Sequence, residues 1–537
     1  MFLSADTSAQ RAFSRVPTIS HSRNAFTRAE TKKGTMQFDG LYPMYYEYIY
    51  PGDTLSATYQ CMMRLGTQVG TLYDDLYVDL HAWFVPFRLI QTDWARYQFN
   101  AQPLGPSQDN SSLTAPKLDL SGLSSGWGAK TMFDYAGDFG DPTVNLSSSV
   151  ANINNYLGRG INLTWNENYR DQNLQNPVAV DYDNGPDAPS DYSTILKRGK
   201  RHDKFTSALT AQQKGTAFSI SIGSSAPIGH TSGNSSILRK TSDDSAAGTI
   251  SGSNLGTAGG SQLTDGTNSL YMDPAGYFAD LASATLATVN TLRTSIAIQH
   301  LLEADARGGT RDVEAIKSRW GVDVPDYRLT RPEYIGGITY DFDGHVVPQT
   351  SESGTTPQGN LAQFSQNMSA LQINHSFVEH GVFFILASAR SNLSYQQGLG
   401  RHLTYSTRYD WYQPEFANLG EVSIKNREIY FQGTASGGAD DDTFGFQEYG
   451  YELRYTDNKI VGEMRSSFGT SKDYLHMADD YSSLPTLGSA WIESNTPISR
   501  NLVVSTTTAD PIEFTSILKG KMARTLPMFS VPGLYRL

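Results

Sequence analysis

The sequence predicts a mainly β protein that carries long insertions and a few helices. The stretch "LYVDLHAWFVPF" alternates apolar and polar residues with the period of two that a half-buried strand shows. The stretch "HGVFFILASAR" (His380–Arg390) is a continuous apolar run with the length of a buried strand. Helical spacing appears mainly within residues 275–322, after a long Ser- and Gly-rich segment. The residues that share one face of the first strand are Leu76, Val78, Leu80, Ala82 and Phe84.

The composition is that of an ordered, loop-rich chain. Of 537 residues, 18% are charged and 11% are aromatic, whereas disordered chains are poor in aromatic residues. The formal net charge of -12 argues against broad DNA binding by the free protein, because phosphate contacts need Lys and Arg. Local basic patches remain compatible with it. Cys61 is the only cysteine, which excludes an internal disulfide and a cysteine-ligated metal site.

The sequence shows neither a signal peptide nor a membrane span. Its N-terminal stretch, "MFLSADTSAQR", lacks the apolar core of a signal peptide. Its longest apolar run, near Gly381–Ala389, is far shorter than the ~20 residues of a membrane-spanning helix. We therefore expect a soluble protein made in a cytosol, with no membrane insertion.

Residues 1–35 predict a basic N-terminal arm. Residues 1–33 contain six cationic residues and two acidic residues, Asp6 and Glu30, and the stretch has little periodicity. Chain termini are often solvated, so a solvated tail and an arm that binds a partner both remain open. Residues 36–537 predict a single β domain with insertions.

Further strands are predicted along that domain. The region from Tyr42 to Leu89 has a β pattern, in which Pro51-Gly52-Asp53 marks a turn before another strand. The stretches "EIYFQG" (Glu428–Gly433) and "FGFQEYGYELRY" (Phe444–Tyr455) also predict strands.

Residues 216–270 predict a surface projection. Between Ser221 and Leu270, 27 of the 50 residues are Ser, Gly or Thr, and none is aromatic. Such a segment buries little apolar area, so we expect a long surface loop or an inserted projection.

Residues 275–322 predict a helical insert made of two helices and a tight turn. Leu286, Val289, Leu292 and Ile296 recur at spacings of three and four, which is one helical stripe. The pair Gly308-Gly309 ends this helix where a positive φ costs little.

The second helix of the insert is predicted from its cap and its apolar spacing. We expect Thr310 to cap it, with Asp312 near its positive end. Its buried face is expected at Val313, Ile316 and Trp320.

Enzyme motifs are absent or incomplete in the sequence. A phosphate-binding loop needs G-x-x-x-x-G-K-[ST] after a strand, whereas the Gly308-Gly309 turn follows a helix and no lysine follows it. His375 and His380 miss the spacing of a zinc helix by one residue. The stretch "DYDNGPD" (Asp181–Asp187) has its glycine one position early for a calcium loop. We therefore expect no enzyme activity, no cofactor and no metal ion.

An ordered series of local blocks carries a resemblance to a known family. The blocks are "PGDT" (Pro51–Thr54), "FVPFRL" (Phe84–Leu89), "WNENYRDQNLQ" (Trp165–Gln175), "RGKRHDKFTSAL" (Arg198–Leu209), "DARGGTR" (Asp305–Arg311), "RPEYIGG" (Arg331–Gly337), "EHG" (Glu379–Gly381), "YQQGL" (Tyr395–Leu399), "STRYDWYQPEFANLGE" (Ser406–Glu421) and "LPMFSVPGL" (Leu526–Leu534). In this order they resemble the major capsid protein of the Microviridae, most closely the gokushovirus-like branch. Two departures are "TAQQKG" (Thr210–Gly215) in place of a proline-rich turn, and Asp312 where tyrosine is common.

The resemblance implies an eight-stranded antiparallel jelly roll, the β-sandwich of viral capsids, with long inserted loops. It implies pentamers and a T=1 icosahedral shell around a circular single-stranded DNA genome, in a virion made in the cytoplasm of a bacterial host. The partners it implies are a scaffolding protein, a minor pilot protein, a small basic DNA-binding peptide and a host cell-surface receptor. The projection at 216–270 is then expected to take part in host attachment.

Three basic clusters are candidates for facing nucleic acid, because contact with phosphates is local and mostly independent of sequence. They lie in the arm, in "RGKRHDK" and in a basic C-terminal segment, residues 515–537. Each cluster remains open to another interpretation, as intersubunit ion pairs or solvated charges. The candidates are Arg11, Arg15, Arg23, Arg28, Lys32, Lys33, Arg198, Lys200, Arg201, Lys204, Lys519, Lys521 and Arg524.

Aromatic residues are frequent in one loop-like segment, at Tyr405, Tyr409, Trp411 and Tyr412. Side chains of this kind suit the buried anchors of an interface between subunits. They equally suit a core, so both interpretations remain open.

Two other classes of protein remain open. A secreted β-protein that binds or hydrolyses carbohydrate predicts a signal segment and a carboxylate pair in an aromatic cleft, and neither is visible. A host-attachment fibre predicts repeats or extended trimeric segments, and the sequence shows none.

Overall fold

The computed structural model describes residues 22–99, 113–147, 152–216 and 289–529, apart from short gaps at 310, 326–329, 343–345, 349, 355–357, 359–360 and 365–366. Between 217 and 288 it describes 228–230, 238–243, 245, 256–258, 262–264, 269–272 and 277–279. Arg11 and Arg15 of the predicted arm therefore lie outside the described residues.

Strands make up most of the regular structure. In chain order they are β1 (Asn24–Met36), β2 (Tyr42–Ile49), β3 (Thr54–Leu65), β4 (Leu76–Pro86), β5 (Ile228–His230), β6 (Leu238–Lys240), β7 (Gly256–Ala258), β8 (Gln262–Thr264), β9 (Ser269–Met272), β10 (Tyr277–Ala279), β11 (Glu333–Asp341), β12 (Val346–Pro348), β13 (Leu361–Phe364), β14 (Asn367–Ser376), β15 (Gly381–Ser391), β16 (Glu421–Lys425), β17 (Thr443–Glu448) and β18 (Ile512–Arg524). The α-helices are α1 (Trp94–Phe99), α2 (Met132–Ala136), α3 (Tyr156–Asn168), α4 (Ser190–Ser193), α5 (Val289–Arg307), α6 (Asp312–Trp320), α7 (Asn426–Ile429), α8 (Tyr451–Arg454) and α9 (Ser489–Ile492).

Two four-stranded antiparallel sheets form the centre of the fold. The first sheet has the order β1-β18-β3-β14, and the second has the order β11-β4-β15-β2. Strands that are neighbours in a sheet are not consecutive in the chain, so the chain crosses repeatedly from one sheet to the other. The prediction of a mainly β protein is confirmed.

The inward faces of the two sheets build one apolar core. The five residues predicted to share a face of β4 are all buried there. The first sheet contributes Leu55, Tyr59, Cys61, Met63, Ile512, Phe514, Leu518 and Met522. Each large apolar side chain buried in this way contributes roughly 1.5–3 kcal/mol to folding.

Strand β15 is buried along its whole length, because both of its faces are covered. Phe383 and Ile385 face the core between the sheets. Val382, Phe384 and Leu386 face the opposite side and pack in a second apolar cluster with residues of α1, α2 and α3. The continuous apolar run in the sequence reflects this double covering.

A buried ion pair ties α3 to the loop that follows it. The guanidinium of Arg159 donates to the Asp187 carboxylate at 2.7 and 2.5 Å, and to the backbone oxygens of Ile90 and Asp183 at 2.8 Å. Both charged side chains are fully buried, so loss of either partner would leave an uncompensated charge in the interior. The carboxylate that ends "DYDNGPD" is therefore the partner of an arginine.

A third apolar cluster surrounds β16, β17 and the short helices α7, α8 and α9. The strand predicted for residues 444–455 is half right, since β17 is followed by a helix. The strand predicted for residues 428–433 is wrong, because Glu428 and Ile429 end α7. The next backbone N–H groups, of Gln432 and Gly433, donate to the Asp440 carboxylate at 3.2 and 2.9 Å.

The predicted helix, turn and helix are present at residues 289–320. Gly309 has a φ of 78°, the left-handed conformation expected of it. Helix α6 is capped by Arg311, whose backbone N–H donates to the Glu314 carboxylate, while the predicted cap Thr310 lies outside the described residues. Asp312 lies in the first turn as predicted, but Trp320 is 66% exposed. The expected buried face is wrong there, because α6 buries none of its side chains within the described part of the chain.

The chain divides into two compact units. One contains Met1–Gln212 and Ala306–Leu537, and the other contains Gln213–Asp305. The second unit has a two-stranded sheet, β10-β5, and a four-stranded sheet with the order β6-β9-β8-β7. The segment predicted as a projection, residues 216–270, lies inside this unit, and its role stays a prediction.

Candidate nucleic-acid interface

Part of the predicted basic arm is an element of the first sheet. Strand β1 pairs with β18 over its full length, so the N-terminal and C-terminal basic clusters lie side by side. Successive side chains of a strand point to opposite faces, and this alternation divides the cations of each strand into two groups.

The inward or edge-facing cations of these two strands have partners within the chain. Arg28 binds Glu47 at 2.8 Å, and Arg524 binds both Glu47 at 3.0 Å and Asp53 at 2.9 Å. The ammonium of Lys32 donates to backbone oxygens, among them that of Pro43 at 2.8 Å, and burial lowers its pKa to about 8.

Arg23 lies just before β1 and also has partners within the chain. Its guanidinium donates to the backbone oxygen of Gly52 and, at 2.8 Å, to the hydroxyl of Thr54.

The outward face of the first sheet presents the remaining cations. Lys33, Lys519 and Lys521 are exposed and form no ion pair with a residue that the structure describes. In the pairing register, Lys519 lies between Ala29 and Thr58. The face otherwise carries mainly small polar side chains, namely Thr27, Thr31, Thr515, Ser56, Thr58, Gln60, Gln372 and Asn374, with Arg64 beside Glu513. A polar and cationic sheet face of this kind suits phosphate contacts without sequence preference.

The third predicted cluster, residues 198–204, is largely engaged within the chain. Lys200 binds Asp479 at 2.7 Å, and Lys204 binds Asp457 at 2.6 Å. Lys200 also lies over the Trp491 ring, 4.6 Å from its centroid. These contacts favour a structural role for both lysines.

Arg198 and Arg201, together with Lys200, line a cleft of about 1030 Å³ on the outward side of the second sheet, which we call the basic cleft. Strands β4, β11 and β15 supply its floor, and the C-terminal end of α3, residues 198–202 and the turn between α5 and α6 supply its walls. Its cations are Arg170, Arg198, Lys200, Arg201, Arg307, Arg311 and Arg390, and its carboxylates are Asp79, Asp171 and Glu314.

One carboxylate serves three guanidinium groups on the floor of the basic cleft. Asp79 binds Arg198 at 2.5 Å and Arg390 at 2.8 Å, and lies 3.9 Å from Arg201. Burial alone would raise the pKa of this carboxyl, but Arg198, the hydroxyl of Thr339 and Arg390 outweigh it and hold the pKa at about 2. Asp79 therefore stays ionised while the cations around it outnumber it.

Burial, with a smaller contribution from neighbouring arginines, lowers the pKa values of two residues of the basic cleft. Burial, followed by repulsion from Arg390, lowers the pKa of Arg198 to about 10. Burial, followed by repulsion from Arg198, lowers the pKa of His81 to about 4. The imidazole of His81 is therefore neutral near pH 7, and its Nδ1 lies 2.8 Å from the Tyr169 hydroxyl.

Several residues of the basic cleft were not predicted as site residues. Arg307 and Arg311 flank the Gly308-Gly309 turn, which lacks the motif of a phosphate loop yet lies in the wall of the cleft. Asp79 and Arg390 could have been found, because each is a charged residue inside an otherwise apolar strand.

Among the described residues, no group of three or more His, Cys, Asp or Glu side chains is arranged to hold a metal ion. Within the same residues, none of the helices combines the length and the apolar character needed to cross a bilayer.

The aromatic segment around residue 411 is ordered and partly exposed. Tyr409 is 60% and Trp411 is 59% exposed. The Asp410 carboxylate accepts hydrogen bonds from the backbone N–H groups of Thr407 at 2.6 Å and Ser406 at 3.0 Å, and these lower its pKa to about 2.

Ring contacts hold the same segment in place. Tyr405 contacts Trp411 edge to face, with ring centroids 5.1 Å apart, and Tyr412 stacks on Tyr449 at 5.5 Å. A fixed loop that leaves aromatic area exposed is typical of an interface.

Known proteins match this sequence along nearly its whole length. The sequence profile of the family described as "Capsid protein (F protein)" matches residues 14–534. The capsid protein VP1 of Bdellovibrio phage phiMH2K is 40% identical over 513 residues, which cover 92% of each chain. The VP1 proteins of Chlamydia phage 1 and Spiroplasma virus 4 are 33% and 32% identical, covering 98% and 93% of this chain and 98% and 92% of their own lengths.

We predict that acid destabilises the fold through His81. Its pKa of about 4 in the folded chain lies below the value of about 6.5 expected when unfolded, so the unfolded chain takes up the proton first. The free energy of unfolding should fall by roughly 3 kcal/mol between pH 6.5 and pH 4, and should show no contribution from His81 above pH 6.5. Urea denaturation of the unassembled chain at several pH values measures this.

The variant His81→Gln should flatten that slope. Tyr169→Phe is the control, because it removes a hydrogen-bond partner of the imidazole without removing a charge. A slope that is identical in wild type and His81→Gln would contradict the assignment.

Proposed function

The chain belongs to the capsid protein (F protein) family, and from that premise we propose that it is the major capsid protein of a small bacteriophage, building a T=1 icosahedral shell around a circular single-stranded DNA genome. Membership of the family makes it a structural component of a virion rather than an enzyme. The observation that carries the proposal is the match along almost the whole chain.

The proposed architecture is an eight-stranded jelly roll. The strand order supports this, since β1, β3, β14 and β18 form one sheet and β2, β4, β11 and β15 form the other. Segments between β4 and β11 and between β15 and β18 then form the long insertions of the capsid β-sandwich.

The proposed partners are those of a phage assembly pathway. Copies of this chain would form pentamers and then the shell, with help from a scaffolding protein, in the cytoplasm of a bacterial host. A minor pilot protein and a small basic DNA-binding peptide would accompany the genome. The net charge of -12 supports a need for such a peptide, because this chain neutralises little of the genome's charge by itself.

The aromatic segment at residues 405–412 is the proposed contact between copies. Tyr409, Trp411 and Tyr412 are too exposed to fill a core of the single chain, and their loop is already ordered, so little conformational entropy is lost on docking. Closed symmetry repeats such a contact in every subunit, so one anchor acts many times in the shell.

We predict that Trp411→Ala blocks assembly while the subunit stays folded. Loss of a central aromatic anchor costs about 2 kcal/mol or more at each copy of an interface. Light scattering and negative-stain microscopy should show pentamers or closed shells for wild type and Trp411→Phe, and a 59.0 kDa monomer for Trp411→Ala. A wild-type chain that remains a monomer even with its virion partners would overturn the proposed function.

The outward face of the first sheet is the proposed contact with packaged DNA. Lys33, Lys519 and Lys521 are exposed on it, and Glu513 is the acidic residue that accompanies them. Phosphate contacts made by such lysines are independent of base sequence, as a shell around a whole genome requires.

We predict that Lys519→Gln/Lys521→Gln weakens binding of single-stranded DNA equally for all sequences. Losing two phosphate contacts should reduce the slope of log affinity against log salt by about 1.4. Fluorescence anisotropy with labelled oligonucleotides measures the slope. Lys472→Gln is the control, since Lys472 is exposed but paired with Glu463 at 2.7 Å. An unchanged slope in the double variant would place the DNA elsewhere.

The unit Gln213–Asp305 is the proposed host-attachment projection. Its Ser- and Gly-rich composition and its separate set of short sheets support a segment that can vary without disturbing the two central sheets. Deletion of residues 225–265 should leave shells intact by microscopy and reduce adsorption of particles to host cells. Loss of shells in the deletion variant would show that the segment serves assembly instead.

A further inference from the structure

We infer that the basic cleft is a binding site for a phosphate group, carried either by the backbone of single-stranded DNA or by a small phosphorylated ligand. The site lies on the outward side of the second sheet and is distinct from the sheet face proposed above for DNA. The DNA source rests on the proposed function, whereas the phosphate site itself does not.

The charges inside the basic cleft do not balance. Seven cations line it, and three carboxylates accompany them. Some cations have partners beyond the lining, since Lys200 binds Asp479 and Arg307 binds Glu421. On the floor, the carboxylate of Asp79 is shared by Arg198, Arg390 and Arg201, and Asp341 attracts Arg201 from outside the lining.

Arg201 is the least satisfied of these cations. Its guanidinium lies 3.9 Å from the shared Asp79 carboxylate and is held over the Tyr77 ring, 4.1 Å from the centroid. Its Nε is buried and has no hydrogen-bond partner among the described residues. The ring fixes the direction of the guanidinium, so Arg201 is preorganised for an anion.

Other buried donors around the basic cleft also lack a hydrogen-bond partner among the described residues. In the described part of the chain, the buried Nε atoms of Arg170, Arg311 and Arg390 and the amide nitrogen of Asn168 also have no partner. The side chain of Arg390 is only 9% exposed. A buried donor left without a partner costs free energy, but these atoms are also closed to solvent, so they add to the local excess of positive charge rather than meeting a ligand in the cleft directly.

The chemistry of the donors favours phosphate over carboxylate. A carboxylate has only two oxygens, and those of Asp79 are already shared among three guanidinium groups. Inorganic phosphate or a phosphomonoester offers three or four oxygens in a tetrahedral arrangement, and a phosphate of the DNA backbone offers two, so guanidinium groups of the floor and of the walls can bind the same group. Burial, followed by repulsion from a neighbouring arginine, lowers the pKa values of Arg170 and Arg201, and a bound anion would oppose the second of these causes.

The test compares phosphate binding by the full-length, unassembled wild type, Arg201→Gln and Arg201→Lys. Calorimetric titrations use inorganic phosphate and, separately, an oligothymidylate without a terminal phosphate. We expect Arg201→Gln to weaken binding by about tenfold or more, and Arg201→Lys to weaken it less, because lysine keeps the charge but loses the planar fork. Lys472→Gln should bind like wild type, and urea denaturation checks that all variants fold.

Each outcome decides one question. If Arg201→Gln weakens binding of the oligonucleotide, the phosphate comes from the DNA backbone. If it weakens binding of inorganic phosphate alone, the phosphate comes from a small phosphorylated ligand. Equal affinities of wild type and Arg201→Gln for both probes would overturn the site. Binding of a hexaglutamate peptide in place of both probes would also overturn it, in favour of a carboxylate partner. Shell formation by Arg201→Gln is scored separately, so failure of the phosphate site and failure of the proposed capsid function are distinguishable.

Discussion

Strand β15 of the second sheet is covered on both faces, and the rest of the structure depends on how this is done. The inner face of this sheet meets the first sheet in an apolar core. Its outer face is apolar at one end, where Trp83 and Phe384 pack under α1, α2 and α3. At the other end the same strands carry Asp79 and Arg390, and there the covering is a cleft lined by charged groups. The boundary between apolar and charged covering runs across individual strands.

Charged groups at the covered end of a sheet come at a cost to stability. Replacement of a buried ion pair by well-packed apolar residues is often neutral or stabilising. The ion pairs of Asp79 with its arginines are therefore expected to contribute little to the stability of the fold. The same residues set the electrostatics of the cleft, since Asp79 stays ionised and His81 stays neutral. Packing does not account for charged residues at this position, whereas the proposed phosphate site does.

Much of the fold could be predicted, because the central strands obey local rules. The period-two pattern of β4 and the apolar run of β15 report directly on what covers each face. Alternation along β1 could also have separated Lys32, which is partly buried, from the outward Lys33. The strand predicted at 428–433 is absent because the backbone N–H groups of Gln432 and Gly433 donate to the Asp440 carboxylate instead of to a neighbouring strand. The local sequence pattern does not reveal this contact.

The candidate site was harder to predict, because ion pairing depends on residues far apart in the chain. Arg198, Lys200 and Lys204 look alike in sequence, yet their carboxylate partners are Asp79, Asp479 and Asp457. Only the folded chain shows that several arginines share Asp79, whereas Asp479 and Asp457 each pair with one lysine. This difference bears on the proposed function, because a net charge of -12 repels DNA and the repulsion is screened only beyond a Debye length of about 8 Å. Recognition of a phosphate must therefore come from places where the fold itself leaves cations in excess, and the outward sheet face and the basic cleft are two such places.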